Sequence, residues 1–373
     1  MKYHHPVKKS APTKKKVFVG LSGGVDSSVS AAFLVRAGYD VTGVFIKVWQ
    51  PDFVPCAWKE DRLDAMRVCA HLGIPFITLD LEKEYRKEVV DYMIAEYKRG
   101  NTPNPDVMCN KEVKFGAFLK YAKSQGADYV ATGHYARVRE LKTKNLKQKK
   151  FELLAGLDKD KDQSYFLWTL SQNQLKHILF PVGALKKREV RILAKKFGLL
   201  TATKKDSQGL CFVGKIDMKE FLGHFIAEKP GEVLNENAEV IGVHQGAGLY
   251  TLGQRRGFTI TKKGKNEEAY YVISKDMKRN RIVVSDKPEK PGRNRLIVRA
   301  RKLNFVSDTP KSGKKYTVRF RYRQKLQPCN VVSVDKNNLM LGLEKSDFTI
   351  SPGQSLVLYG GKRLVGGGII QSA

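Results

Sequence analysis

The chain has 373 residues, enough for two or three domains around a substantial core. Its 68 Lys+Arg against 37 Asp+Glu leave a formal charge of +31, which points to a polyanionic partner, nucleic acid first, unless the composition is merely lysine-rich throughout. No apolar stretch approaches the ~18 to 20 residues that span a bilayer and the N-terminus has no apolar signal core, so a cytoplasmic protein is expected.

In chain order, residues 1–15 read as a disordered basic tail. From Val17 to about Gly133, short β-rich runs alternate with helical ones, which predicts an α/β fold with a parallel sheet. The strands are expected at Val17 to Gly20, Val41 to Val48, Pro75 to Leu79 and Tyr129 to Thr132. Helices are expected at Ser27 to Ala37, Arg62 to Leu72, Glu82 to Lys98 and Val113 to Ser124, the first three closed by Gly38, Gly73 and Gly100 as left-handed stops. After Arg139, the lysines Lys142, Lys144, Lys147, Lys149 and Lys150 mark a basic hairpin tip. Two short helical patterns follow between Ser171 and Gly198. The C-terminal third then changes character, with short strands at Tyr270 to Ile273, Arg281 to Val284, Arg295 to Val298, Tyr316 to Tyr322, Cys329 to Val334, Leu339 to Leu343 and Ser355 to Leu358, the last set forming a barrel or sandwich.

The chemistry begins at Gly20-Leu21-Ser22-Gly23-Gly24-Val25-Asp26-Ser27-Ser28, between the first strand and the first helix. Glycines let the backbone approach an anion, serine hydroxyls donate, and the helix start offers unpaired N–H groups. The loop lacks the Lys-[Ser/Thr] ending of a P-loop, so phosphoryl transfer is the less favoured chemistry. Ligands of open α/β sheets sit beyond the strand carboxyl ends, which places this loop in the nucleotide site and the end of the second strand, at Ile46, near an adenine.

The five cysteines, Cys56, Cys69, Cys109, Cys211 and Cys329, are odd in number and widely spaced, which excludes a secreted disulfide framework and a CxxC zinc site and leaves too few together for an iron–sulfur cluster. Cys69 lies among Leu63, Met66 and Ala70 and reads as packing. Cys109 follows two prolines, just ahead of a helix pattern and near Lys111 and Lys114, where a lowered thiol pKa is expected; the alternative is a buried loop cysteine. Cys211 lies in a polar, glycine-containing junction segment, and two such loop cysteines suggest paired sulfur chemistry, a redox pair, or nothing more than loop residues. Arg321, Tyr322 and Arg323 alternate on an expected strand, and Asp162 suits the cap of a helix over 164–170.

Several segments together resemble one family. GLSGGVDSS at Gly20, TPNPDVMCNKEVKFG at Thr102, ATGHYAR at Ala131, DKDKDQSYFL at Asp158, KDSQGLCFVG at Lys205, YTLGQRRG at Tyr250, RYRQ at Arg321 and GGGII at Gly366 occur in the order found in bacterial-type tRNA-specific 2-thiouridylases, which belong to the PP-loop ATP pyrophosphatases. The resemblance runs from about Lys16 to Gln371. It implies an N-terminal parallel-sheet PP-loop domain of the adenine nucleotide alpha hydrolase type over 16–203, a small central tRNA-binding domain over 204–288 and a C-terminal β-barrel over 289–373. By matching position, Gly20, Leu21, Ser22, Gly23, Gly24, Val25, Asp26, Ser27, Ile46 and Gly133 hold ATP, with Asp26 helping to hold Mg2+.

The same resemblance puts Asn104, Pro105 and Asp106 at the target base, with Asp106 in the catalytic group. It puts His134, Lys161, Asp162, Gln163, Arg321, Tyr322 and Gln354 at the tRNA. Cys109 matches the nucleophile and Cys211 the persulfide carrier, the two ending as a disulfide. The implied reaction is ATP-dependent 2-thiolation of the wobble uridine of lysine, glutamate and glutamine tRNAs, releasing AMP and pyrophosphate. Its sulfur comes from a cysteine desulfurase or a persulfide relay protein. Two rivals stay open: a PP-loop ligase or amidotransferase-like enzyme that accepts an amine, and an RNA-binding protein stabilised by nucleotide.

Overall fold

The structure is a computed structural model of the chain and describes residues 14–54, 58–141, 149–206, 218–227, 229–262, 269–286, 296–344, 347 and 349–372. Strands β1 (Lys16–Gly20), β2 (Asp40–Lys47), β3 (Phe76–Asp80) and β4 (Tyr129–Ala131) are followed by a hairpin, β5 (Ala136–Leu141) and β6 (Lys150–Ala155), and by β7 (Ile178–Leu179). β3, β2, β1, β4 and β7 lie side by side in that order, all parallel, as the alternating pattern predicts. The chain runs outward on one side from β1 to β3 and on the other through β4 to β7, so the crevice between β1 and β4 is the switch point where ligands of such sheets bind. The loop 20–28 opens into it.

Helices cover both faces. Val17 and Val19 pack with Ala31 and Leu34 of α1 (Val25–Arg36) and with Ala65 and Cys69 of α2 (Trp58–Leu72), so Cys69 is core as expected, but on the Ala65–Val68–Cys69 face of the helix; Leu63, Met66 and Ala70, the neighbours that suggested its packing, are exposed. Phe18, Val44 and Ile46 face the other way, onto α3 (residues 82–98) and α4 (residues 105–124). Gly38, Gly73 and Gly100, at φ +82, +64 and +81, form the expected left-handed stops. Both α3 and α4 contain a widened π-helical stretch, Arg86–Asp91 and Cys109–Ala117.

α4 begins eight residues earlier than its apolar pattern indicates. Pro105 suits the first helical position, where no N–H is needed, and the Asn104 side chain accepts from the Val107 N–H at 3.2 Å. The helix at Asp162 is shorter than expected. Only a 3-10 turn, Ser164–Leu167, forms before α5 (Gln172–Leu175) and α6 (Lys187–Lys196), although Asp162 does accept from the Ser164 N–H at 3.1 Å.

After α7 (Met218–Gly223), the central sheet joins β8 (Gly231–Leu234), β9 (Val240–His244), β10 (Thr259–Ile260), β11 (Tyr271–Asp276) and β12 (Arg281–Ser285) in the order β10-β9-β8-β12-β11. The last part comprises β13 (Leu296–Phe305), β14 (Lys315–Arg319), β15 (Gln327–Val334), β16 (Leu339–Leu343), β17 (Ser355–Gly360) and β18 (Arg363–Ser372). β13 pairs with both β16 and β18, closing a six-stranded antiparallel barrel. The β18 strand is invisible to β-propensity because of Gly366, Gly367 and Gly368. A Cβ at Gly366 would lie 2.3 Å from the Asn304 carbonyl oxygen and one at Gly367 2.4 Å from that of Leu356, so barrel closure requires the residues that conceal the strand.

The three parts interlock. The β5–β6 hairpin extends the barrel sheet through Leu154 opposite Arg363; of its basic tip, Lys142, Lys144 and Lys147 lie outside the described residues. The Tyr165 hydroxyl donates to the carbonyls of Phe320 (2.9 Å) and Ser355 (3.0 Å) in the barrel, and Lys275 of β11 donates to Gly100 at the end of α3 (2.6 Å).

Candidate active site

The loop after β1 is ordered by its own side chains. Ser27 Oγ accepts from the Ser22 N–H at 3.2 Å and donates to the Gly24 carbonyl at 3.1 Å, while Ser28 Oγ donates to the same carbonyl at 2.8 Å. Gly23, at φ +70, passes so close to α2 that a Cβ would stand 2.4 Å from the Asp61 carbonyl oxygen. The helix cap, Gly24, offers no side-chain acceptor, which leaves the first-turn N–H groups of α1 for an incoming anion. Gly133, beyond β4, closes the other wall: a Cβ there would lie 2.7 Å from Ser27 N. These approaches make a backbone-lined cradle at the sheet's switch point; Ile46 is buried near the end of the neighbouring strand β2.

Asp26 stands in the first turn of α1. Its carboxylate accepts from the Tyr135 hydroxyl at 2.7 Å and from Lys187 Nζ at 2.8 Å on each oxygen. Lys187 also reaches Asp206 at 2.9 Å, and Asp206 takes Lys161 at 2.7 Å and Arg191 at 2.6 Å. Burial pushes the Asp206 carboxyl up, but hydrogen bonds from Lys161 and Lys187 and their charges outweigh it and hold the group well below the usual carboxylate range. Burial, together with the Asp26 charge, pushes the Tyr135 hydroxyl far up. Among the described residues no three His, Cys, Asp or Glu side chains converge as a metal cage. A single carboxylate beside a phosphate cradle suits Mg2+, which is usually held by one or two carboxylates and by substrate phosphates. Asp26 is the carboxylate placed to hold such an ion.

A second site opens where the three parts meet. Pro103, Asn104, Pro105, Asp106, Phe166, Met218, Thr251, Arg321, Tyr322 and Gln354 line a cavity of 370 Å³. Six of these, Asn104, Pro105, Asp106, Arg321, Tyr322 and Gln354, are residues singled out in the sequence, and they come from opposite ends of the chain. Gln354 Nε2 donates to the Pro103 carbonyl at 3.2 Å, and the Thr102 and Thr251 hydroxyls meet at 3.1 Å. The rings of Phe166 and Tyr322 lie 4.6 Å apart on one wall, and Phe166 carried no functional signal in the sequence. Arg321 is not a strand residue with a free side chain. β14 ends at Arg319 because Gln324 Oε1 takes the N–H groups of Phe320 and Arg321, and Arg323 turns at φ +61. The Arg321 guanidinium donates to the carbonyls of Leu252 (2.6 Å) and Thr349 (2.5 Å), pinning the central part to the barrel.

Cys109 is buried within α4, one turn after Asp106, so the helix start lies a turn ahead of the thiol and not at it, contrary to the expectation from a helix starting at Val113. Its neighbour Asn110 is buried and donates through Nδ2 to the Asp106 carbonyl at 2.9 Å. Cys211, like Cys56, lies outside the described residues.

Other expected RNA contacts are committed inside the protein. His134 is 7 % exposed among Phe115 and Phe180, bonded to Thr132 at 2.7 Å; burial, helped by the charge of Lys114, holds its pKa well below the ordinary value. Asp162 accepts from Gly156 N and pairs with Arg319 at 3.2 Å, and Gln163 Oε1 accepts from Tyr135 N. Lys161 faces Asp206 near the phosphate cradle. Lys187 was missed in the sequence because nothing near it in the chain indicates its partner.

Comparison with known proteins agrees with this architecture. The tRNA methyl transferase HUP domain model matches residues 15–215, a tRNA methyl transferase PRC-barrel domain model matches 219–286 and an aminomethyltransferase beta-barrel domain model matches 295–370. The tRNA-specific 2-thiouridylase MnmA of Shewanella oneidensis is 46% identical over 363 residues, covering 96% of each chain. The chain belongs to the tRNA-specific 2-thiouridylase family. The family's protein in Escherichia coli O139:H28 is likewise 46% identical, over 365 residues, covering 96% of this chain and 97% of that one. Among solved structures, a 4-thiouridine synthetase–RNA complex with bound ATP shares a partial likeness, with a TM-score of 0.33 and 22% identity over 53% of this chain and 44% of that one.

Proposed function

We propose that this 2-thiouridylase uses ATP to replace the C2 oxygen of the anticodon wobble uridine of tRNA with sulfur, adenylating that oxygen and taking the sulfur from a Cys211 persulfide. The observation that carries the reading is the 370 Å³ cavity, where Asn104, Pro105, Asp106, Tyr322 and Gln354 converge beside the helix that bears Cys109. Its size and its Phe166–Tyr322 wall suit an extruded base, and an anticodon loop presents an unstacked one.

The C2 oxygen is a poor leaving group. Its bond to the α-phosphorus of ATP forms as the bridge to the β-phosphate breaks, pyrophosphate leaves with the bonding electrons, and the N3 proton passes to water. Asp26 would hold Mg2+, which would supply neutralising charge at the phosphates. The terminal persulfide sulfur of Cys211 bonds to C2 directly as AMP leaves, and the Cys109 thiolate then attacks the inner Cys211 sulfur, breaking the S–S bond and releasing the 2-thiouridine; or Cys109 attacks that inner sulfur first and frees hydrosulfide, which displaces AMP at C2. In both routes N3 regains its proton. By either route Cys109 and Cys211 end as a disulfide that needs a two-electron thiol reductant, and a desulfurase or persulfide relay restores the sulfur. The net charge of +31 supports phosphate contacts along the tRNA.

The test incubates the purified protein with unmodified glutamate tRNA, ATP, Mg2+, a persulfide donor and reductant, and weighs the digested nucleosides. A sulfur-for-oxygen gain on uridine, lost without ATP and lost in Cys211→Ser, is expected. AMP release with unchanged uridine would move the chemistry to an amine acceptor, and tRNA binding with neither product would make it a binding protein.

A further inference from the structure

A loop that cuts a nucleotide triphosphate ordinarily brings a cation to the departing phosphate, and residues 20–28 contain none. The fold delivers one from 161 positions away. Lys187 is the first residue of α6, and its backbone N–H donates to Asp158 Oδ2 at 2.8 Å, which fixes where that helix starts. The side chain is only 12% exposed and ends 2.8 Å from both oxygens of Asp26. Asp206, its second partner, is also held by Lys161 and Arg191.

An ammonium clamped on a first-turn carboxylate of a phosphate-binding helix stands where nucleotide charge arrives. We propose that Lys187 is a catalytic residue of the adenylation step, moving from Asp26 to the pyrophosphate oxygens and stabilising the charge they gain as the bond from the α-phosphorus breaks. It transfers no proton. The inference rests on the ATP-dependent reading above, but its first test needs neither tRNA nor sulfur.

The experiment compares Lys187→Met, Lys187→Arg and the double variant Asp26→Asn with Lys187→Met. Inorganic pyrophosphate and AMP are each titrated calorimetrically into the full chain without Mg2+, and tRNA-dependent ATP–pyrophosphate exchange is then measured with it. Loss of a charge-assisted contact should weaken pyrophosphate binding about tenfold or more in Lys187→Met while AMP binding changes by less than about twofold. Exchange should fall on the order of 10²-fold, mostly in kcat, as for removal of one transition-state donor. Lys187→Arg should recover most of the pyrophosphate affinity. The double variant, which leaves no stranded carboxylate and guards against misfolding, should still bind pyrophosphate weakly. Wild-type pyrophosphate affinity in the double variant, or equal losses for AMP and pyrophosphate, would overturn the proposal and leave Lys187 as a neutraliser of Asp26. Failure of thiolation with the pyrophosphate results intact would overturn only the thiolation reading.

Discussion

The phosphate cradle and the cavity beside α4 lie in one molecule but are built by opposite means. In the cradle, hydrogen bonds join residues three to five apart, as in Ser22 N to Ser27 Oγ and Ser28 Oγ to the Gly24 carbonyl. At the cavity they join Thr102 to Thr251, Gln354 to Pro103, and Arg321 to Leu252 and Thr349. A locally built site keeps its shape while the rest of the protein moves, whereas a site made of three parts depends on their relative placement. Nucleotide binding should therefore survive perturbations that ruin recognition of the base.

The largest effect expected is chemical and cuts across both regions. Cys109→Ser and Cys211→Ser should each lower thiolation on the order of 10³-fold or more, as loss of an essential nucleophile does, while pyrophosphate exchange persists; nucleoside mass spectrometry beside an exchange assay separates the two. Next comes a break in the cradle alone. Gly23→Ala meets both a positive φ and the Asp61 carbonyl and should cost about 1–3 kcal/mol in folding, with ATP affinity falling tenfold or more and tRNA affinity nearly unchanged, as read by chemical denaturation and calorimetry.

The converse break is Arg321→Met. Losing the charged donor to Leu252 and Thr349 should raise the tRNA KM about tenfold and leave ATP binding intact, the mirror image of the glycine variant.

A smaller effect tests the joint between α3 and the central sheet. Burial pushes the Lys275 ammonium down to about 8, while the unfolded chain keeps a proton there to 10.5. Between these values the unfolded state binds more protons, so stability should rise with pH by up to about 1.4 kcal/mol per unit from this group. In Lys275→Met that contribution should vanish, and the difference between the two denaturation-versus-pH curves isolates it. The smallest effect expected is from Asn104→Ala, which removes the α4 cap and should cost about 1 kcal/mol in urea denaturation.

Much of the nucleotide-binding half was legible because its signals are short-range. A helix over 82–98, three glycine stops and the cradle all follow from steric and hydrogen-bonding rules acting within a few residues. The errors share a cause. α4 was read as starting at Val113 because Pro103 and Pro105 signal a loop, and Arg321 was read as a solvated strand residue because the side chain of Gln324 ends the strand. β18 was hidden by glycines that let it approach Asn304, far off in the chain, and Leu356 on the neighbouring strand β17.

The amino-acid sequence by itself determined the alternation of strand and helix and the anion-binding loop, since each is a property of neighbouring residues; Cys109 and Cys211 were marked as candidates by the resemblance of their surrounding motifs to one family. Only the tertiary structure decided that six marked residues share one cavity, that Cys109 is buried within a helix, and that Lys187 stands against Asp26 beside the loop. Those facts depend on which distant segments pack together, and the packing is set by the summed burial of many apolar side chains rather than by any local pattern.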